Sequence, residues 1–255
     1  MDILLPPRTD RQASTTLTAP RQVTVIGANG SGKSRFCSHL LSHHNGPTYR
    51  LSAFRAIFNT PVDPDEPERP GSINAIFDAI NDASTQVTNH ASTEFDKLIY
   101  ILLLDEFRQL MSYKAARLSG ERREFPTTRL DRTVQTWQAI FPGNKMLREN
   151  GRLLFTTEGH DDKYPSLRLS DGEKSVLYYV AGMLYAPDNA LVLVDDPEIS
   201  LHHSLMRPLW NAVEELRPDC TIVYNTHDVD FAASRVDNQC VWVKSYDPDR
   251  QAWDY

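Results

Sequence analysis

The sequence lacks several features that would assign it to a membrane or secreted class. None of its apolar runs approaches the roughly 20 residues that a membrane-spanning helix requires. Its start lacks the basic residues, apolar segment and cleavage site of a signal peptide. Only three cysteines occur, Cys37, Cys220 and Cys240, and their spacing matches no metal site. We therefore expect reduced thiols and a cytoplasmic protein without membrane contact.

An overall positive charge is also missing. The 255 residues carry a net charge of −7, which argues against a protein that binds nucleic acid over its whole surface. One stretch differs, because residues 114–152 contain nine basic and four acidic residues. This stretch could contact DNA or an acidic partner, or it could be a solvated helical face. The length and the 40% hydrophobic content suit one α/β domain with an insertion.

The most informative segment runs from Gly27 to Ser34 and fits the phosphate-loop pattern G-x-x-x-x-G-K-[ST]. A buried strand is predicted at residues 21–26 and a helix at 35–41, as such a loop requires. Backbone N–H groups and the helix N-terminus would surround a polyphosphate. Lys33 is predicted to reach the β- and γ-phosphates, and the Ser34 hydroxyl to bind Mg²⁺. The predicted nucleotide-binding residues here are Gly27, Asn29, Gly30, Ser31, Gly32, Lys33 and Ser34.

A second anion-binding helix N-terminus is predicted where residues 169–174, with Ser170 and Gly172, precede a long apolar run. An ordinary capped helix would give the same pattern. One nucleotide does not need two such sites from one chain. A site shared between two subunits is the simpler explanation.

Carboxylates follow a third buried segment, residues 191–194. Ligands bind at the carboxyl ends of strands in open parallel sheets, so Asp195 is predicted to hold Mg²⁺, usually through water. Residues 220–225 form another predicted buried strand, and His227 follows it. An apolar run with Asp105 and Glu106 looks similar but continues as an amphipathic helix, so we predict a helix there.

Taken in order, these motifs resemble those of ABC-type ATPases of the OLD, RecF and SMC-like branch. The 169–174 segment resembles the family's signature, and Pro197 to His202 resembles its continuation after the carboxylates. The resemblance implies ATP and Mg²⁺ as cofactors, with Ser170, Gly172 and Glu173 closing over the nucleotide of a second subunit. It also implies that His227 senses the γ-phosphate. The family normally has Glu where this chain has Asp196. Asp196 is therefore predicted to position the attacking water, and hydrolysis is expected either to be slow or to be completed by a partner.

The resemblance implies one ABC-type ATPase domain over residues 1–255, with a mainly parallel sheet, helices on both faces and an antiparallel edge. A helical insertion is predicted from about residue 72 to 150, with helices at 95–118 and 130–140, after a linker with proline at every third position from Pro61 to Pro70. Ser72 is expected to cap its first helix. Ser52 and Arg55 are candidates for sensing the nucleotide. A strand is predicted at 151–157, and a strand, a turn and a return strand from residue 240 to the end.

The tail, residues 242–246 with Trp253 and Asp254, resembles that of small AAA-type ATPases of bacterial anti-phage systems. This resemblance implies a homodimer or higher homo-oligomer that controls a separate nuclease or toxin. A DNA-repair or chromosome-maintenance ATPase is the alternative, and the ATP-binding subunit of a transporter is the third. A module that binds ATP and barely hydrolyses it is compatible with all three.

Overall fold

The fold comes from a computed structural model that describes residues 2–10, 15–58, 94–160, 162–235 and 237–255. The predicted proline linker and the helix expected after Ser72 lie outside the described residues. None of the described helices is both long and apolar enough to cross a membrane.

A five-stranded parallel sheet forms the centre of the molecule. The described strands are β1 (Ile3–Leu4), β2 (Thr16–Leu17), β3 (Gln22–Ile26), β4 (Thr48–Leu51), β5 (Asn144–Glu149), β6 (Arg152–Thr157), β7 (Tyr164–Pro165), β8 (Leu191–Asp195), β9 (Thr221–Thr226), β10 (Asn238–Trp242), β11 (Ser245–Asp247) and β12 (Ala252–Asp254). The central order is β10-β3-β9-β8-β4, and all neighbours in it are parallel. The strands β5, β6 and β7 form a separate antiparallel sheet, and β1–β2 and β11–β12 form two-stranded hairpins.

Helices cover both faces of the central sheet. The described helices are α1 (Lys33–Ser42), α2 (Ala53–Phe58), α3 (Glu94–Leu118), α4 (Arg129–Ile140), α5 (Asp171–Met183), α6 (His203–Leu216) and α7 (Val229–Ser234), with a short 3₁₀ turn at Ser166–Arg168. The strand β8 shows why both faces need cover, because alternate side chains of a strand point to opposite faces. Leu191 and Leu193 join a core with α1, whereas Val192 and Val194 join a core with α5 and α6. This mixed α/β architecture confirms the predicted fold class.

The region before the signature differs in one part from the predicted helical insertion. The helices expected near 95–118 and 130–140 are confirmed as α3 and α4, and the Asp105–Glu106 segment is helical. The helical run does not reach residue 150, however, because α4 ends at Ile140 and residues 144–149 form β5. Pro142 and Gly143 follow that helix end, and neither residue favours helix continuation. The next residues pair antiparallel with β6, the strand predicted near 151–157.

The C-terminal region forms a hairpin, as predicted, but its first strand is split. The strand β10 ends at Trp242 within the central sheet, and β11 begins at Ser245 and pairs with β12. The three cysteines are unpaired, with Cys37 and Cys220 buried and Cys240 exposed.

Candidate nucleotide-binding site

The order of the central strands brings three predicted motifs to one edge of the sheet. The strand β9 lies between β3 and β8, with Ile26 opposite Thr226 and Asn225 opposite Asp195. The phosphate loop follows β3, the carboxylates end β8, and His227 follows β9. All of them therefore emerge from the carboxyl ends of adjacent parallel strands, where open α/β sheets bind ligands.

The phosphate loop needs glycine at several positions. Gly30 and Gly32 have φ angles of 81° and 92°, in the left-handed region that favours glycine. A Cβ atom on Gly27 would lie 2.2 Å from the Val243 carbonyl oxygen. The Ser31 hydroxyl is buried and has no hydrogen-bond partner among the described residues. A tight loop of glycines with an unpaired buried hydroxyl, followed by a helix N-terminus, fits a bound phosphate group.

Lys33 begins α1 and bends back over this loop. Its Nζ donates hydrogen bonds to the carbonyl oxygens of Gly27, at 2.8 Å, and Ala28, at 2.9 Å. Burial lowers the pKa of this ammonium group, while the negative charge of Asp196 opposes that change. The positive charge of Lys33 is thus held within the loop. Ser34, the last residue of the loop, is exposed.

Asp195 is buried at the end of β8 and has protein partners on both carboxylate oxygens. Oδ2 lies 2.5 Å from the Arg50 Nε, and Oδ1 accepts a hydrogen bond of 2.9 Å from the Asn225 side chain. Sequence reasoning did not single out Arg50 but named Ser52 and Arg55, which lie nearby in the chain. Ser52 is buried, and nothing is described of the Arg55 side chain. The sequence signal that could have found Arg50 was a single arginine in β4, a strand whose residues alternate between buried and partly buried and which pairs with β8.

Asp196 occupies a turn directly after β8. Its φ angle is 47°, its N–H donates to the Asn225 carbonyl at 2.9 Å, and its carbonyl accepts from the Ile199 N–H at 3.1 Å. Burial raises the pKa of the Asp196 carboxyl, and the neighbouring Asp195 charge adds to this increase.

Glu198 completes this group, and sequence reasoning missed it as a site residue. Its Oε1 accepts a hydrogen bond from the Thr226 hydroxyl at 2.8 Å and lies 3.2 Å from the His227 Nδ1. Burial raises the pKa of Glu198, and the Thr226 hydrogen bond opposes this. Ligand atoms of Asp196, Glu198 and His227 all lie within 4.8 Å of one another. By spacing, these three side chains could hold a water molecule or a metal ion.

The second predicted anion site is the capped start of α5. Ser170 is the N-cap, and its hydroxyl accepts a hydrogen bond from the Glu173 N–H. The Glu173 carboxylate accepts from the Ser170 N–H at 2.9 Å and, through its other oxygen, from the Asn144 side chain at 3.1 Å. A Cβ on Gly172 would lie 2.8 Å from the Ser200 carbonyl oxygen. Glu173 thus holds the helix start in place, and a direct contact with nucleotide stays a prediction for all three signature residues.

The C-terminal hairpin packs directly on the phosphate loop. The Trp253 indole N–H donates to the Gly32 carbonyl at 3.2 Å, and its ring contacts Phe36 edge-on at 5.8 Å between centroids. A Cβ on Gly32 would lie 2.6 Å from the Tyr246 Cβ, and the Arg35 guanidinium lies 5.1 Å from the Tyr246 ring centroid. The sequence predicted only a terminus packed on the domain, without this contact.

Comparison with known proteins now identifies the family. A protein family described as "AAA domain, putative AbiEii toxin, Type IV TA system" matches residues 35–233, which is more than half of the chain. The chain belongs to this family. The match begins directly after the phosphate loop and includes the signature, the carboxylates and His227. Membership of the AbiEii-type AAA family makes the chain an AAA/ABC-type ATPase. No curated protein matches the sequence.

Two solved SMC head structures are similar to this chain. An SMC head bound to the C-terminal winged-helix domain of ScpA matches with a TM-score of 0.51 at 13% identity, over 95% of this chain and 93% of that chain. The SMC head domain from Thermotoga maritima matches with a TM-score of 0.48 at 12% identity, over 95% and 93% of the two chains. The first of these similarities indicates that this chain has the fold of an SMC head.

Proposed function

We propose that this protein binds ATP with Mg²⁺, hydrolyses it slowly, and dimerises head-to-tail around it as the regulatory subunit of an anti-phage defence complex. The observation that carries the proposal is the meeting of the phosphate loop, the Asp195–Asp196 pair and His227 at the ends of three adjacent strands. This arrangement suits an ATP site, because a phosphate cradle, a metal ligand and a water-positioning carboxylate must converge there.

Each side chain has a defined task in this proposal. The loop N–H groups from Gly27 to Ser34 hold the β- and γ-phosphates, and Lys33 exchanges its loop carbonyl partners for phosphate oxygens. Ser34 and Asp195, whose carboxylate also contacts Arg50 and Asn225, would hold Mg²⁺, which would supply positive charge beside those phosphates. Asp196 contacts the attacking water, and His227 contacts the γ-phosphate.

The shape of α5 supports a site shared between two subunits. Tyr179 donates from its hydroxyl to the Asp195 carbonyl at 3.4 Å, so the middle of α5 lies beside the carboxylates. Ser170 is nine residues earlier in the chain, which corresponds to about 13 Å of helix rise. The capped N-terminus is thus displaced along the helix from its own chain's carboxylates. Ser170 is exposed there, so a second copy would be able to bring its nucleotide against this N-terminus.

A mixing experiment tests the shared site. Lys33→Ala removes the phosphate-binding ammonium, and Ser170→Asp keeps a good N-cap but places a negative charge where a γ-phosphate would lie. Each variant alone should lose ATP hydrolysis. A mixed dimer has one intact composite site, so an equal mixture should recover roughly a quarter of the wild-type rate if subunits exchange freely. Failure to recover activity, with both variants folded and exchanging, would contradict the head-to-tail dimer.

The defence role rests on the family description, which names a toxin and a type IV toxin–antitoxin system. We infer that the ATP-bound dimer restrains or releases a separate nuclease or toxin, because ligand binding that favours one state can switch a partner. The test is a pull-down of the tagged protein from its native host, with and without non-hydrolysable ATP. Recovery of an effector encoded by an adjacent gene would support this role.

A DNA-repair or chromosome-maintenance ATPase is the second candidate, because the fold resembles an SMC head. Its DNA contact would use the basic stretch 114–152. Several arginines there are already used within the chain: Arg123 pairs with Glu121, Arg129 with Asp105, Arg148 with Glu106 and Asp131, and Arg132 donates to the Leu216 carbonyl. Exposed basic residues remain at Lys114, Arg117, Arg122, Lys145 and Arg152. Recovery of DNA and repair proteins without an effector would favour this candidate.

A further inference from the structure

The backbone at residue 196 favours aspartate. Asp196 has a left-handed φ of 47° and closes a turn through its carbonyl and the Ile199 N–H. Among residues with a side chain, Asp and Asn adopt this conformation most readily, whereas others pay about 1–2 kcal/mol. The aspartate therefore suits the turn.

The two carboxylate oxygens of Glu198 have different surroundings. One of its oxygens, Oε1, is fixed by the Thr226 hydroxyl and lies 3.2 Å from the His227 Nδ1. The other oxygen, Oε2, is buried and has no hydrogen-bond partner among the described residues. A carboxylate that is oriented through one oxygen and has no hydrogen-bond partner on the other can accept a proton there from a water molecule that reaches it.

The spacing of the side chains around Glu198 suits one shared water molecule. Atoms from Asp196, Glu198 and His227 lie within 4.8 Å of one another. A water oxygen makes hydrogen bonds of about 2.7–3.2 Å, so it can contact all three side chains at once. The strand β9, which precedes His227, pairs with both β3, which precedes the phosphate loop, and β8, which precedes Asp196, so this group lies at the same end of the sheet as Lys33.

We propose that Glu198 is the catalytic residue that accepts the proton of the attacking water, with Asp196 shaping the turn and helping to orient that water. The proposal rests on the proposed ATPase function. As the water oxygen bonds to the γ-phosphorus, the bond to the β,γ-bridging oxygen breaks and ADP leaves with that electron pair. The water proton moves to Glu198 Oε2 and is later released to phosphate or solvent.

The test compares two isosteric variants of the full-length protein. Glu198→Gln keeps an oxygen that accepts from Thr226 but removes the base. We expect its kcat to fall about 100-fold or more, the usual range for loss of a general base. Its ATP affinity, measured by titration calorimetry, and its unfolding midpoint should stay at wild-type values, which a purely structural role would not allow. Asp196→Asn, which tolerates the same backbone, should lower kcat less than about 10-fold.

The opposite ranking, with Asp196→Asn the more damaging variant, would overturn the assignment of Glu198. A Glu198→Gln variant that hydrolyses ATP at the wild-type rate would overturn it equally. Wild-type protein that binds ATP and dimerises without turnover would refute this inference and leave the proposed switch standing. Failure of the wild-type protein to bind ATP would instead refute the proposed function.

Discussion

Replacing Trp253 should weaken both the fold and the phosphate loop. The side chain is only 4% exposed and packs on Phe36, His39 and Tyr246. Truncation to alanine should therefore cost about 3–5 kcal/mol of unfolding free energy, the usual range for a buried tryptophan. Trp253→Phe isolates the hydrogen bond, because it keeps an aromatic ring but leaves the Gly32 carbonyl without the indole N–H.

The phenylalanine variant gives the sharper result. Loss of one hydrogen bond should cost about 1 kcal/mol, beyond any small loss of packing. If that energy holds the loop in its nucleotide-binding geometry, ATP affinity should fall by up to about 5-fold. Urea unfolding and titration calorimetry measure the two effects. The control is Trp242→Ala, because Trp242 is 67% exposed and its loss should change stability by less than about 0.5 kcal/mol.

Wild-type stability and ATP affinity in Trp253→Phe would refute the claim that the hairpin fixes the loop. A loss of stability without a loss of affinity would show that the hairpin supports the fold only.

Three further predictions concern stability. In chemical unfolding, Gly32→Ala should be more destabilising than Gly30→Ala by at least about 1 kcal/mol. Both glycines have left-handed backbones, but only at Gly32 would a Cβ lie against Tyr246, so equal losses would contradict this contact. Arg217→Met should cost about 2–4 kcal/mol of unfolding free energy, and an unchanged unfolding midpoint would refute this. The Arg217 side chain is only 10% exposed, and its guanidinium pairs with Asp219 and donates to the carbonyl oxygens of Ala186 and Pro187. The Arg217 hydrogen bond also lowers the pKa of the Asp219 carboxyl in the folded protein. This carboxylate therefore stabilises the fold fully at pH values above its unfolded pKa of about 4, and the stabilisation is lost as the pH falls below that value. Asp219→Asn should therefore flatten the acid side of the stability–pH curve, and an unaltered curve would contradict the assignment.

Local apolar runs and the phosphate-loop motif predicted the central strands and helices of the fold. The apolar run before Asp195 indicated a strand buried on both faces, and the phosphate loop fixed the strand before it and the helix after it. The strand at residues 144–149 was missed because Met146 alone is buried in it, so its pattern is weak and its pairing with β6 decides its structure.

The candidate site was only partly predictable, because several of its contacts join distant parts of the chain. Arg50 meets Asp195 across neighbouring strands, and Trp253 meets Gly32 from the other end of the chain. Glu198 lay within a motif, yet its importance depends on the left-handed turn at Asp196, which the local sequence did not indicate. These features are set by tertiary structure rather than by residue type or spacing.

Binding of Mg²⁺–ATP to the wild-type protein and to Lys33→Ala, compared by titration calorimetry, tests the central claim most directly. Lys33 is buried in the loop with both hydrogen-bonded partners in the loop backbone, so its loss should remove the ammonium and leave the surrounding fold largely intact. The wild-type protein should bind ATP, and Lys33→Ala should show no measurable binding while unfolding as a single folded species. Equal ATP affinity in the two proteins would contradict the assignment of this edge of the sheet as the nucleotide site.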